Sequence, residues 1–143
     1  MPKAIQHPSI HQSSYNRNNM KLILKIVLTI ALAIALQMLM PWWAIAIAGF
    51  SVSAIIYTKG LNSFVAGFIA VFLLWTIKAY LIDLGNEQLL STKIATLFNV
   101  PVVSLPLLTG AIGGLVAGFA SLTGSTFSNI LRPAKKNRNK YYF

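Results

Sequence analysis

The sequence predicts an all-α integral membrane protein, a bundle of four transmembrane helices with a short interfacial helix between the third and the fourth. Three observations carry that prediction. The chain of 143 residues is 56% hydrophobic with a mean hydropathy of +0.67. Only 10% of it is charged, against about a quarter in an ordinary soluble domain. Its uncharged stretches are also too long to be buried inside a chain this small.

Residues 1 to 20 are rich in Ser, Asn, Gln and His without apolar periodicity, which predicts a disordered polar tail. Met20, followed by Lys21 and Lys25 and an apolar run, also has the look of an N-terminus for an inserted helix. From 26 to 58 no residue is charged. A single helix of that length would reach about 50 Å, against a hydrocarbon core of about 30 Å, so the run must divide. Pro41-Trp42-Trp43 divides it, because Pro suits a first helical turn and paired Trp favour the membrane interface. Helix one is thus expected at about 21 to 40 and helix two at about 42 to 58.

A short turn around Lys59 and Gly60 follows, with Asn62 or Ser63 as the expected cap of helix three, about 64 to 84, and Gly85 as its terminal glycine. Within the next connection Leu89, Leu90, Ile94, Leu97 and Phe98 share one side of a helical wheel, which predicts an interfacial helix at about 87 to 98. Pro106 opens helix four, about 106 to 131, and Arg132-Pro133 stops it before a basic tail, 132 to 143.

Charge gives an independent check. With four helices and the N-terminus inside, Lys3, Arg17, Lys21, Lys25, Lys59, Arg132, Lys135, Lys136, Arg138 and Lys140 are all cytoplasmic, and only Lys93 is outside. A three-helix division would split the positives almost evenly. The expected location is therefore the inner, cytoplasmic membrane, multi-pass, with both termini cytoplasmic. The apolar run after Lys25 is too long for a signal sequence, and Ala44-Ile45-Ala46 mimics a cleavage site only inside the second apolar segment.

The strongest local motif lies in helix four. Gly110, Gly114 and Gly118 recur every four residues, with Gly113, Ala117, Ser121 and Ser125 in a second small-residue row beside them. Small residues at this spacing let helix backbones approach closely, which drives association in lipid. Helix two, with Ala44, Ala48, Gly49 and Ser53, is the expected partner, ahead of a sister subunit or another protein.

Lys78, Asp83 and Glu87 form the candidate polar membrane site. Lys78 lies close enough to the end of helix three for its stem to snorkel to the headgroups, which is the expectation. Asp83, five residues on, is about 140° around the helix and poorly placed to pair with it. Arg132, Lys135, Lys136, Arg138 and Lys140 beside the last span are expected to contact anionic lipids. His7 and His11 have a helical metal-ligand spacing, but Pro8 between them and the want of a third ligand argue against a site, so neither metal nor cofactor is expected.

Cys is absent from the chain, which excludes a disulfide scaffold, thiolate catalysis, Cys-ligated zinc and an iron–sulfur cluster. There is no phosphate-binding G-x-x-x-x-G-K, no H-E-x-x-H, no G-x-S-x-G and no acid pair inside a span, so catalysis is not expected. A net charge of +10 could suggest nucleic acid, but the basic segment is short and no reading fold accompanies it. The expected function is that of a small accessory or assembly subunit of a larger inner-membrane complex, with the bilayer, anionic lipids and other membrane subunits or its own copies as partners. The alternative is a small homo-oligomeric channel or transporter. Short spans and a basic tail give a looser compositional likeness to holin-like permeabilising proteins, from which no residue role follows.

Overall fold

Residues 9 to 37 contain neither Gly nor Pro, and they form one unbroken helix, α1 (Ser9–Gln37). The computed structural model describes residues 9–56 and 58–131, with side chains from residue 19 onward. Helix one therefore starts well before 21, and the segment expected to be a disordered tail is helical from Ser9; residues 1–8 lie outside the described residues. Extending a helix that already exists costs far less than nucleating one, so an anchored apolar span carries helix into polar sequence that would not form it alone.

The chain reverses at the expected place. The Met40 N–H donates to the Leu36 carbonyl at 2.8 Å, and the Ala44 N–H to that of Pro41 at 3.0 Å. The returning helix, α2 (Ala44–Ile55), is shorter than the expected 42 to 58. Its 12 residues span about 18 Å. The Pro41-Trp42-Trp43 turn uses up its start, and Ile56 turns extended at its end.

Helix α3 (Gly60–Gly85) begins four residues earlier than expected. Asn62 and Ser63 lie inside its first turn rather than capping it; the chain enters from Lys59, which makes no side-chain cap, and the Ser63 N–H donates to the Lys59 carbonyl at 3.0 Å. At its other end the left-handed residues are Glu87 and Gln88, with φ of 53° and 56°, not Gly85. The Asn86 N–H to Ile82 and the Gln88 N–H to Asp83 close the last carbonyls there.

Helix α4 (Leu89–Phe98) falls where the short helix was expected. Leu89, Leu90, Leu97 and Phe98 remain exposed while Ala95 is buried, so much of its apolar side is left for a medium outside the bundle. Helix α5 (Ser104–Leu131) holds Pro106 in its first turn, where the missing N–H costs nothing. Residues 19–37 of α1, all of α3 and all of α5 are each long and apolar enough to cross a membrane. Among the described residues the fold is all-helical with no strand, and these three helices give it the make-up of a membrane protein.

Side-chain contacts fix the register. Lys25 meets Ser63 and Gln37 meets Lys78, so α1 and α3 run in the same direction with α2 returning beside them. Gly118, Gly114 and Gly110 meet Phe64, Phe68 and Phe72 in turn, which makes α5 antiparallel to α3. Ala33, Ile45, Ala48, Val71 and Ala117 close the centre.

Candidate functional site

Two kinds of contact hold these helices together, and they separate structure from candidate chemistry. The first is the small-residue row of α5. It packs against α3 as well as the expected α2: a Cβ on Gly114 would sit 3.0 Å from the Phe68 carbonyl oxygen, and one on Gly118 2.9 Å from the Phe64 ring. Gly113 takes the Trp75 ring and Gly110 takes Thr76. The match has a simple origin, because phenylalanines at 64, 68 and 72 repeat every four residues as the glycines do: the Phe64 and Phe68 rings fill the notches of Gly118 and Gly114, and Gly110 lies against the Phe72 backbone and the Thr76 side chain. The rings also stack on one another, with centroids 6.2 Å apart for Phe64 and Phe68 and 5.7 Å for Phe68 and Phe72. The second row meets α2 through Ser121, whose hydroxyl donates to the Gly49 carbonyl at 3.2 Å, and Gly124, outside both rows, lies against Phe50 of α2. Ala117 is buried in the central core.

The second kind of contact is polar and belongs to α1. Lys25, Thr29, Ala33 and Gln37 recur every four residues and so share one face. The first three are buried and Gln37 is half-buried, so the face is turned into the bundle. Lys25 is 1% exposed. Its ammonium donates to Thr58 Oγ1 at 2.9 Å and to Ser63 Oγ at 2.6 Å, and the two hydroxyls are themselves hydrogen-bonded at 2.6 Å. One turn deeper, Thr29 Oγ1 is buried without a partner, as is Ser53 Oγ on α2.

Lys78 sits toward the opposite end of the same seam. It is exposed, and its ammonium donates to Gln37 Oε1 at 2.8 Å. The pair opens on a cleft of about 370 Å³, whose walls include Pro41, Trp42, Trp75 and Thr109. Gln37 Nε2 is buried with no partner, and so is Thr76 Oγ1 nearby on α3. Lys78 and Asp83 are not brought together: the Asp83 carboxylate accepts a hydrogen bond from the Ser91 hydroxyl and ties the end of α3 to α4. Glu87 is exposed in the connection between them.

Arg132, Lys135, Lys136, Arg138 and Lys140 lie outside the described residues, as does His7. Among the described residues no group of His, Cys, Asp and Glu could hold a metal ion. Sequence reasoning singled out Lys78 but missed Gln37, and it took Lys25 for a flanking topology charge. The signal was present in the four-residue recurrence of Lys25, Thr29 and Gln37 on a helix whose other faces carry Leu and Ile. In lipid such a stripe has to face protein.

Chemically, both lysine clusters are rich in donors and poor in acceptors. An ammonium has three donors, and each cluster offers it only neutral oxygens. Comparison with protein-family models, curated proteins and solved structures finds no match, so the reading of these clusters rests on their own geometry.

Proposed function

We propose that this chain is a small non-enzymatic integral membrane protein that serves as an accessory or assembly subunit of a larger inner-membrane complex. The observation that carries the reading is the Lys78 cleft. Lys78 keeps two N–H groups beyond its bond to Gln37, and Gln37 Nε2 has no acceptor at all. The walls of the cleft are mostly apolar and include Trp42 and Trp75, a surface of the kind a neighbouring helix packs against. A carboxylate on such a helix would satisfy the spare Lys78 donors, and a pairing of that kind sets partner choice and register where apolar packing alone does not. The glycine row does not compete for this role, because its notches are filled from within the chain.

In this reading the chain passes four times through the bilayer with both termini cytoplasmic, and α2 crosses with the help of its flanking turns. Reporter fusions at Lys59 and after Phe143 then read as cytoplasmic, and fusions at Glu87 as external; a cytoplasmic Glu87 would overturn the topology. For the subunit role, a photo-crosslinking residue placed at Ile82, on the cleft, should yield one discrete adduct in native membranes, while one at Ile47 should yield lipid adducts only. Lys78→Met should abolish the discrete adduct and Lys78→Arg should retain part of it. An adduct insensitive to Lys78 would sink the reading.

The channel or transporter alternative has one observation in its favour, the inward polar stripe from Lys25 through Thr29 to Gln37. Against it stands the apolar closure by Ala33, Ile45, Ala48, Val71 and Ala117 between the two ends. Solute or ion flux through liposomes containing only this chain would favour the alternative.

A further inference from the structure

We propose that the Lys25–Thr58–Ser63 cluster and the apolar groove beside it bind one anionic phospholipid, with its phosphate on the cluster and an acyl chain in the groove. The inference is independent of the subunit role and needs only that the helices sit in a bilayer.

Lys25 has no acid to answer it. The chain's two acids are Asp83 and Glu87, and Asp83 lies about 30 Å along α3 from Ser63. Counting donors shows what is missing. The ammonium spends two N–H groups on Thr58 and Ser63, and the two hydroxyls share one further bond. One ammonium N–H and one hydroxyl O–H therefore remain without an acceptor in the cluster. Thr58 is the only half-exposed member of the three. When Ser63 donates to Thr58, the Thr58 oxygen accepts from both sides and its own proton points to whatever approaches from outside. The buried charge is thus presented at the surface through Thr58.

The surroundings favour an anion there. Helix α3 starts two residues after Thr58 without a side-chain cap, so its first free N–H groups add positive potential. Lys59 is exposed next to Thr58, and Lys21 is exposed one turn before Lys25.

The groove supplies the second half of the site. It runs between α1 and α2, holds about 420 Å³, and is lined by Leu28, Leu32, Ala35, Val52, Ile55 and Ile56, with Ala31 at its edge. It begins one turn beyond Lys25 and reaches Ile56, two residues before Thr58, so acceptor site and apolar slot are neighbours along both segments of the chain. A free phosphate would use only the cluster. A helix of a second copy would use only the groove, and its acids would sit at the far end of its own α3. A phospholipid with a monoanionic phosphodiester and no cationic headgroup uses both, and the nearby Lys21 and Lys59 select against a choline.

The test uses the full chain in detergent micelles doped with phosphatidylglycerol or phosphatidylcholine, read by native mass spectrometry. We expect one retained phosphatidylglycerol per chain and at least a tenfold preference over phosphatidylcholine. Lys25→Met should lower that preference tenfold or more. Ala35→Trp, which plugs the groove and leaves the cluster intact, should do the same. Thr58→Val replaces Lys25→Met if the latter does not fold by circular dichroism. The basic tail is untouched in all three variants, so diffuse attraction of anionic lipid cancels. Equal retention of both lipids, or an unchanged preference in the variants, would overturn the proposal. Displacement by inorganic phosphate with no effect of Ala35→Trp would show a free-anion site instead. A concentration-dependent dimer lost in Ala35→Trp, without lipid, would assign the groove to a second copy.

Discussion

The α3–α5 seam and the α1 seam meet at one core, yet they are built on opposite terms. Between α3 and α5 every notch is filled, with Phe64, Phe68, Thr76 and Trp75 lying in the spaces left by Gly118, Gly114, Gly110 and Gly113. Along α1 the contacts are polar and incomplete: Thr29 Oγ1 and Gln37 Nε2 are buried without partners, and two lysines bind neutral oxygens only. Filled notches make a scaffold; unspent donors on a rigid scaffold make a place for something else to bind.

The sharpest way to break the first seam is Gly114→Leu. With a Cβ already 3.0 Å from a backbone oxygen, the larger side chain has no room, and we expect a loss of about 3 kcal/mol or failure to fold, measured by denaturant unfolding in micelles. Leu115→Ala, at a position 46% exposed, should cost less than about 1 kcal/mol. Equal tolerance of the two would remove the distinction between the seams.

The α1 seam should respond in a different pattern. Ser63→Ala takes the nearest acceptor from a buried ammonium and is expected to cost about 2 kcal/mol. Lys25→Met removes the charge together with its need for an acceptor and, with no acid left behind, should change stability by less than about 1 kcal/mol. Removing the partner thus hurts more than removing the charge, an order that an ion pair would not show. Same-sized losses from both would mean that Lys25 is a structural clamp.

Smaller effects mark where neither seam is involved. Gln88→Gly should raise stability by about 1 kcal/mol, because Gln88 holds a left-handed conformation that glycine adopts freely. Lys78→Met should leave unfolding within about 0.5 kcal/mol of the parent, since Lys78 is exposed, while abolishing the crosslinked adduct. A stability loss as large as that of Ser63→Ala would make Lys78 part of the scaffold.

How far the sequence alone reaches follows the same division. The reversal at Pro41-Trp42-Trp43, the short helix near 89 to 98 and the last helix were legible because Pro placement and apolar runs act locally. The α2 partner of the small-residue rows was legible but the α3 partner was not, because small residues announce close approach without saying which helix supplies the rings; the spacing of Phe64 and Phe68 held that answer. The start of α3 was placed late because Asn62 and Ser63 look like caps, yet Ser63 is occupied by Lys25 from a distant helix. Lys25 itself reads as a flanking charge until the α2–α3 connection folds over it.

The shortness of α2 bears on the bilayer as well as on the protein. With 12 residues α2 reaches only about 18 Å, whereas α1 and the turn after it expose apolar side chains from Met20 to Met40. α3 and α5, at 26 and 28 residues, reach about 40 Å. Lipids that meet the molecule at α2 therefore face an apolar helix far shorter than the one at α5. At fractions of a kcal/mol per ångström of mismatch, the membrane yields by dimpling inward on one side only. Such a lopsided dent lowers the cost of placing another thin-belted protein against the same flank, so elasticity of the membrane alone would draw like-shaped neighbours together there before any side chain touches.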